Sequence, residues 1–558
     1  MSYKGVLYTW HPPSSFTPFS SSEEIPEPIQ AALQRRGITP SQIHQYFSPN
    51  IANLPSPFSL PDIDSGLNLL QKALKHKYLI YVTSDYDVDG ITSATLWYLF
   101  LKAHQHESFH IHIPDRHTEG YGISDIAVQE AIKYGAALFI AVDCGTKDHA
   151  ALQQLQTAGI DTIVLDHHTV DAEAYPSASA FINPKRPDSE YPNPHLSAGA
   201  LTYKFLRAYE ERYGIPSRVD EMLDLVAISL LADIMPLSGE NRALARAGMQ
   251  LLQEKQRPGL AALLEVARIS PEDLRRASTL LFQLIPRLNA SGRISHPQYA
   301  FDLLCADHLS EETKQLARHL NQLNKERQKL QDTAFQEALE RVQNQAPGIV
   351  AYSPHWHKGV VGLVASKLVE KFHRPAVILT QDPEKGLLTG SARSPEDMPL
   401  YTLLETYCKP YLVKFGGHDK AAGMSLRPEQ LSDFTEAFLK GCAVLSAQTR
   451  TDWLDAELTY TDLLSKRIAE WVEKFEPVGP QNHSPRFLVH GLHLRAESDN
   501  LLLCNQNLLF EAYITGPRRE EFLPYLRQYH RRPIQVVVTP RLDNKGRTKL
   551  QVRDIVVG

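Results

Sequence analysis

Four short acidic stretches mark the first half of this chain: Asp85-Tyr86-Asp87-Val88-Asp89-Gly90, Val142-Asp143-Cys144-Gly145, Asp166-His167-His168 and Ala232-Asp233. Carboxylates and imidazoles gathered at one place suit Mn²⁺ or Mg²⁺ better than a thiolate metal site. Clustered carboxylates holding two such ions are a standard apparatus for cutting phosphate esters. Asp87 and Asp89 stand two apart before Gly90, a spacing that aims both carboxylates at one cation or at two neighbours. The plainer role of an Asp-rich turn is to cap the following helix. Asp143 is the natural bridging carboxylate between paired ions. Asp85 and Asp166 either ligate or orient the groups that do. No GxxxxGK[ST] segment occurs, so the sequence does not suggest ATP-driven chemistry.

The elements that must position these residues are short apolar runs. Tyr78–Val82 precedes the first stretch, Ala137–Ala141 the second and Thr162–Leu165 the third. Each reads as a strand buried on both faces, as in parallel sheets. In such sheets the ligand site lies beyond the carboxyl ends of the strands. A helix is expected from near Ile91. Met222–Leu231, which presents Asp233, reads equally as helix or strand. Strands alternate with helical stretches from about 65 to 265, the pattern of βαβ units.

Residues 311–345 carry the clearest helical pattern, with Leu316, Leu320, Leu323 and Leu330 on one stripe. This spacing reads as packing within the chain rather than a dimer seam. A second α/β unit follows, with strands at Gly348–Tyr352 and Pro375–Leu379 around a helix at Val360–Lys371. The end of the chain holds five strand-like runs: Phe487–Leu494, Leu501–Cys504, Leu509–Ile514, Ile534–Thr539 and Lys549–Val556. Five short strands of this kind fit an OB-fold, a single-strand-binding module. From Ile514 onward ten Lys/Arg face four Asp/Glu, in a chain whose net charge is −6. The chain has no global basic field, so a nucleic-acid partner needs a local groove.

A chain of 558 residues exceeds one core, and 43% apolar with 22% charged residues is an ordinary globular composition. The cysteines, Cys144, Cys305, Cys408, Cys442 and Cys504, form no CxxC pair. Neither a signal peptide nor an apolar stretch of about 20 residues is seen. A cytoplasmic setting without membrane contact is expected.

In order and separation, Asp87-x-Asp89-Gly90, Asp143, Asp166-His167-His168 and Asp233 resemble the four motifs of the DHH phosphoesterases. Five further blocks resemble the single-strand-specific DNA exonucleases of that family. They are Arg116-x-x-Glu119-Gly120-Tyr121-Gly122, Pro286-Arg287-Leu288-Asn289-Ala290-x-Gly292-Arg293, Trp356-His357-x-Gly359-Val360-Val361-Gly362, Gly390-Ser391-x-Arg393-Ser394 and Phe415-Gly416-Gly417-His418-x-x-Ala421-Ala422-Gly423. The resemblance runs from about residue 65 to the C-terminus. It implies an α/β protein: an N-terminal segment (1–64) packing on a parallel-sheet DHH domain (65–300), a connecting helix (301–346), a smaller α/β DHH-associated domain (347–447) and an OB-like β-barrel (448–558).

The resemblance also implies roles. Asp87, Asp89, Asp143, His167 and Asp233 would hold two Mn²⁺ or Mg²⁺ ions, and His168 would contact the scissile phosphate. Arg116, Arg287, Ser391, Arg393, Ser394 and His418 would bind DNA, with Ser391, Arg393 and Ser394 suited to a terminal phosphate. One departure is clear: many relatives have His four residues before Asp87, and here that place is Thr83. The implied activity is 5′→3′ degradation of single-stranded DNA in repair and recombination, by a monomer working with single-strand-binding protein and a helicase. The alternative is an oligoribonuclease or small-nucleotide phosphoesterase, but those are shorter and lack the C-terminal module. A non-catalytic scaffold would have lost ligands that remain here.

Overall fold

The computed structural model describes residues 2–19, 24–215, 218–343, 345–396, 398–445, 451–497, 500–505, 508–514, 522, 525, 533–543 and 545–556. The chain divides into two compact units that are discontinuous in sequence. One comprises Arg36–Asn324 with Lys474–Ser484; the other comprises Met1–Arg35, Lys325–Glu473 and Pro485–Gly558.

The first unit is built on five parallel strands: β1 (Ile80–Ser84), β2 (Phe109–His112), β3 (Leu138–Val142), β4 (Asp161–Leu165) and β5 (Ala180–Ile182). Their order is β2-β1-β3-β4-β5. Every residue of β1 and β3 is buried, which explains the apolar runs Ile80–Val82 and Leu138–Val142. The order reverses between β1 and β3, and such a switch point is where a doubly wound sheet opens a crevice. Ser84, Val142, Leu165 and Ile182 lie in register across the sheet. The next residue of each strand is therefore polar and level with the others: Asp85, Asp143, Asp166 and Asn183.

Helix α1 (Val88–Ala103) follows β1, and α2 (Ala198–Arg212) and α3 (Leu223–Ala232) pack against it. The segment left open between helix and strand is helical, and Asp233 is its C-cap. Its residues from Leu223 to Leu231 are all buried, so no polar face marks its period. Helix α4 (Ile285–Ile294) carries the Pro286–Arg293 block, and Gly292 lies so close to Tyr86 that a Cβ there would stand 2.6 Å from its carbonyl oxygen. The long helix α5 runs Glu311–Leu339, shorter than the 301–346 expected. Leu320 and Leu323 are buried, whereas Leu330 is exposed, so the leucine stripe does not continue along the whole helix.

In the second unit, β6 (Ile349–Tyr352), β7 (Ala376–Asp382), β8 (Leu387–Arg393), β9 (Lys414–His418) and β10 (Ala421–Leu426) form a sheet in the order β9-β10-β8-β7-β6. Only β6 and β7 pair in parallel, with helix α6 (Val361–Phe372) between them in sequence. The last sheet contains β11 (Ala456–Leu458), β12 (Phe487–Glu497), β13 (Asn500–Asn505), β14 (Leu508–Tyr513), β15 (Pro533–Leu542) and β16 (Thr548–Val556). Its pairing runs β12-β13-β14-β16-β15 and returns from β15 to β12, with β14 and β16 parallel.

The N-terminal 64 residues do not behave as one segment on the DHH domain. Met1–Arg35 group with the C-terminal sheet, and only Arg36 onward joins the first unit. Strand Thr9–His11 pairs with Thr451–Trp453, and the Trp10 Nε1–H donates to Asp554 at 2.8 Å. The reason is burial: Trp10 completes a small core with Leu454, Leu488, Val537 and Val556.

Candidate metal centre

Three strand ends and one helix end deliver the acidic residues to one place. His167 Nε2 lies 3.2 Å from Asp143 Oδ1, 3.6 Å from Asp233 Oδ2 and 3.8 Å from Asp89 Oδ2. Asp85, Asp87 and Asp143 form an adjoining group with ligand atoms within 4.8 Å of one another. Asp143 holds φ at +61°, a conformation that costs a non-glycine residue energy and clusters at functional sites.

Each candidate ligand is positioned by its own element. Asp87 caps α1, accepting from the N–H groups of Asp89 at 2.9 Å and Gly90 at 3.2 Å. The plain role of an Asp-rich turn, capping the following helix, is thus present at Asp87. Gly90 is required, since a Cβ there would stand 2.3 Å from the Asp85 carbonyl oxygen. Asp89 is gripped by the N-terminus of α2: Ala198 and Gly199 N–H donate to it at 2.8 and 3.0 Å, and Ser229 Oγ at 2.5 Å. A helix N-terminus favours a carboxylate there. Burial and the charge of Asp87 nevertheless push the Asp89 carboxyl up to about 6, against these hydrogen bonds.

Asp166 makes the contacts of an orienting group, and it also stands with Asp143, His167 and His168 in a group able to hold a cation. Its Oδ1 accepts from the N–H of His167 at 2.7 Å and of His168 at 3.2 Å, and from His168 Nδ1 at 2.7 Å. Its Oδ2 accepts from Thr146 N–H at 3.0 Å. Burial alone would raise this carboxyl, but the hydrogen bond and charge of His168 hold it below the usual range. Reciprocally, His168 is raised to about 9: burial opposes its charge, and the Asp166 hydrogen bond outweighs burial. His167 is pushed the other way, to about 3, by burial and then by the charge of His168. A neutral imidazole beside a cationic one is a sensible division between metal ligand and phosphate contact.

The carboxylates that remain do not satisfy one another. Burial and then mutual repulsion raise Asp85, Asp143 and Asp233 well above the ordinary carboxyl value. Asp85 Oδ1 is buried without a hydrogen-bond partner. Such an orphaned oxygen within a group of acids fits a cation. Thr83, four residues before Asp87, is buried inside β1.

Sequence reasoning missed several supports. Tyr121 OH lies 3.1 Å from His168 Nδ1; the signal for it was the Glu119–Gly122 block. Asn183 Nδ2 donates to the His168 carbonyl at 2.9 Å. Lys185 feels the charges of Asp233 and Asp166, although burial lowers its amine below the usual value. Neither Asn183 nor Lys185 lies in a motif.

Of the expected DNA contacts, Arg116 stacks 4.2 Å over the Tyr86 ring, next to the cluster. Arg287 is half-buried and donates to Asn321 Oδ1 at 3.0 Å. In the second unit, Ser391 and Arg393 share one face of β8, beside the start of α6. A Cβ on Gly362 would meet Arg393 Nη2 at 3.0 Å and Ser391 Oγ at 3.2 Å. Ser394 is buried, and its hydroxyl donates to the Met398 carbonyl at 2.9 Å, so it does not join the pair. His418 ends β9, whose Gly416 faces Gly423. A Cβ on either glycine meets nothing within 4 Å, so tight packing does not explain them.

Residues 79–230 match the DHH family, N-terminal domain, and residues 345–443 match the DHHA1 domain. The chain is 35% identical over 427 residues to the single-stranded-DNA-specific exonuclease RecJ of Salmonella typhimurium, covering 73% of this chain and 72% of that one. It is 34% identical over 476 residues to RecJ of Bacillus subtilis, covering 83% of this chain and 58% of that one. The chain belongs to the RecJ family. A crystal structure of RecJ in complex with Mn²⁺ from Thermus thermophilus superposes with TM-score 0.81 at 26% identity, covering 96% of this chain and 76% of that one. The same protein in complex with Mg²⁺ gives 0.75 at 25% identity, covering 96% of this chain and 75% of that one. For a RecJ-family chain the small-nucleotide alternative is not favoured, since its relatives over most of its length are single-strand DNA exonucleases. Among the described residues no helix is long and apolar enough to cross a membrane.

Proposed function

We propose that this chain degrades single-stranded DNA from the 5′ end, as a divalent-cation-dependent exonuclease of DNA repair and recombination. The observation that carries the reading is the meeting of Asp85, Asp87, Asp89, Asp143 and Asp233 around a neutral His167, in a RecJ-family fold. These six residues would hold two ions of Mn²⁺ or Mg²⁺, Asp85 among them because its buried Oδ1 has no hydrogen-bond partner. Bound there, the ions supply the Lewis acidity that hydrolysis of a phosphodiester needs. The five carboxylates repel one another, and two divalent cations held there would offset that charge.

The chain's own groups do the rest. Asp166 and Tyr121 fix the His168 ring, whose positive charge stabilises charge developing on the scissile phosphate. Lys185 adds a second cation near Asp233. In the other unit, Ser391, Arg393 and the start of α6 suit a terminal phosphate, since guanidinium and helix N–H groups both favour phosphate oxygens. The bare strip at Gly416 and Gly423 admits a strand backbone, with His418 at its end. Arg116 and Arg287 contribute to binding in the DHH unit.

The C-terminal pairing supports an OB-like reading. Five strands whose pairing returns to the first, with one parallel pair, are what a small Greek-key barrel requires. Such a module tracks single strands. The working form would be a cytoplasmic monomer supplied with single strands by a helicase and single-strand-binding protein. The test uses oligonucleotides labelled at either end, single- and double-stranded, with Mn²⁺ or Mg²⁺. The 5′ label should leave first as a mononucleotide, and only from single strands. Early release of the 3′ label, or equal cutting of duplex, would refute it.

A further inference from the structure

A second set of ligating side chains meets on the edge of the DHH sheet, away from the motif loops. His110 and His112 stand two apart on β2, so they share one face. Glu130 reaches them from the helix Asp125–Tyr134. His110 Nε2 lies 3.8 Å and His112 Nδ1 3.6 Å from the same oxygen, Glu130 Oε2. Both separations are too long for hydrogen bonds. The three ligand atoms nevertheless lie within 4.8 Å of one another. One shared cation is within reach of all three side chains.

Independent contacts prepare the donors. His112 Nε2 lies 2.8 Å from Glu119 Oε2. Glu119 is itself held in place, accepting from Ser124 Oγ at 2.6 Å and from the Asp115 N–H at 2.8 Å. Held at Nε2, His112 presents Nδ1 on its other side, 3.6 Å from Glu130 Oε2. This is the carboxylate–histidine arrangement that orients metal-bound imidazoles. Tyr81 OH donates to Glu130 Oε2 at 2.8 Å and fixes the third ligand.

We propose that His110, His112 and Glu130 bind one transition-metal ion of the Zn²⁺ class, at a site separate from the carboxylate cluster. Two imidazoles and one carboxylate select Zn²⁺ over Mg²⁺. The ion bears on catalysis through one segment: Glu119, which holds His112, is two residues from Tyr121, which touches His168. Occupancy therefore stiffens residues 115–124.

The experiment titrates Zn²⁺ into Mg²⁺-saturated full-length protein against a chromophoric chelator, for wild type, His110→Ala and Glu130→Gln. The carboxylate cluster is common to all three. Wild type should bind one equivalent more than either variant, and Zn²⁺ should slow backbone hydrogen exchange over residues 115–124 in wild type alone. Glu119→Gln should weaken that equivalent about 10–100-fold, as loss of an outer-shell partner does. His110 is partly exposed and Glu130→Gln preserves shape, so poor folding of one variant leaves the other as the test. Equal Zn²⁺ stoichiometry in wild type and variants overturns the proposal.

Discussion

Asp143 is the residue on which the DHH site turns. It leaves β3 at φ +61°, faces His167 at 3.2 Å and belongs to both groups of ligands. Asp143→Ala should lower cleavage by more than about 100-fold, because even outer-shell partners of a metal cost 10–100-fold. Single-strand binding should survive, since phosphate contacts are spread over other residues. Turnover near wild type in saturating Mn²⁺ would contradict that place. Arg393 makes a different kind of claim. If it holds a 5′ phosphate with Ser391, Arg393→Ala should cost roughly 2–5 kcal/mol in positioning that end, the range for a lost buried charge pair. The variant should then cut 5′-phosphorylated and 5′-hydroxyl strands at similar slow rates. A rate ratio unchanged from wild type, at one fixed salt concentration, would send the search to Arg116 or Arg287. Most of this site is legible in the sequence because its ligands follow strand ends as short acidic words. Lys185 and Asn183 are not, because isolated polar residues after β5 carry no pattern until the sheet aligns Ile182 with Leu165.

Elements were legible where burial is one-sided or continuous, and illegible where partners are remote. The strand before the first motif reads as Tyr78–Val82 but lies at Ile80–Ser84, since Thr83 and Ser84 are polar yet buried. The N-terminal strands had no such signal, because beyond their own short pairing, Tyr3–Lys4 with Thr9–Trp10, the partner that holds Thr9–His11 lies more than 400 residues away. Thr9 pairs with Thr451, and Asp554 in β16 accepts the N–H groups of Leu7 at 3.1 Å and Tyr8 at 3.0 Å. Gly5 permits the approach, since a Cβ there would stand 2.1 Å from Asp554 Oδ2. Burial raises the Asp554 carboxyl to about 6 despite these bonds. Its folded value is above its unfolded one, so protonation favours the fold. That contribution is fully present below about pH 4 and is lost as pH rises toward 6. At about 1.4 kcal/mol per unit, the loss approaches 3 kcal/mol. Asp554→Asn should remove this pH dependence and, by presenting an amide to several N–H donors, destabilise the module by about 1–3 kcal/mol at its worst. Denaturant unfolding from pH 4.5 to 7 followed by tryptophan fluorescence checks both. A stability difference between wild type and variant that is constant across that range would rule out Asp554 as the titrating group.

The whole molecule does not follow the linear order of domains. Lys474–Ser484 return to the DHH unit, where Tyr46 OH donates to Asn482 Oδ1 at 2.7 Å. Phe475 is fully buried there, beside Phe47. Leu237 N–H, a few residues beyond α3, donates to the Pro480 carbonyl at 2.8 Å and ties the segment down. Cutting the chain at residue 450 would therefore strip the DHH unit of part of its own core, and lost cleavage would say nothing about the C-terminal module. The module's part in binding has to be read from charge in the full-length chain. Ten Lys/Arg follow Ile514, and five of them, Arg518, Arg519, Arg527, Arg531 and Arg532, lie outside the described residues. Of the rest, Lys549 pairs with Glu511 at 2.6 Å, Arg547 with Asp543 at 2.8 Å and Arg541 with Glu473 at 3.5 Å. A cation already matched by an acid releases few counterions when a strand binds. Each phosphate neutralised on a single strand contributes about 0.7 to the slope of log K against log salt. Replacing Arg518, Arg519, Arg531 and Arg532 together by Ala should thus flatten that slope by up to about 3, whereas Lys549→Ala should leave it nearly unchanged. Cleavage of very short oligonucleotides should suffer less than cleavage of long ones, because the metal centre is intact in both variants. The measurement is the affinity for a long single strand from low to moderate salt, in the full-length protein. An unchanged slope in the fourfold variant would remove the basic C-terminal module from the binding path and leave phosphate contact to the residues around Arg393 and Arg116.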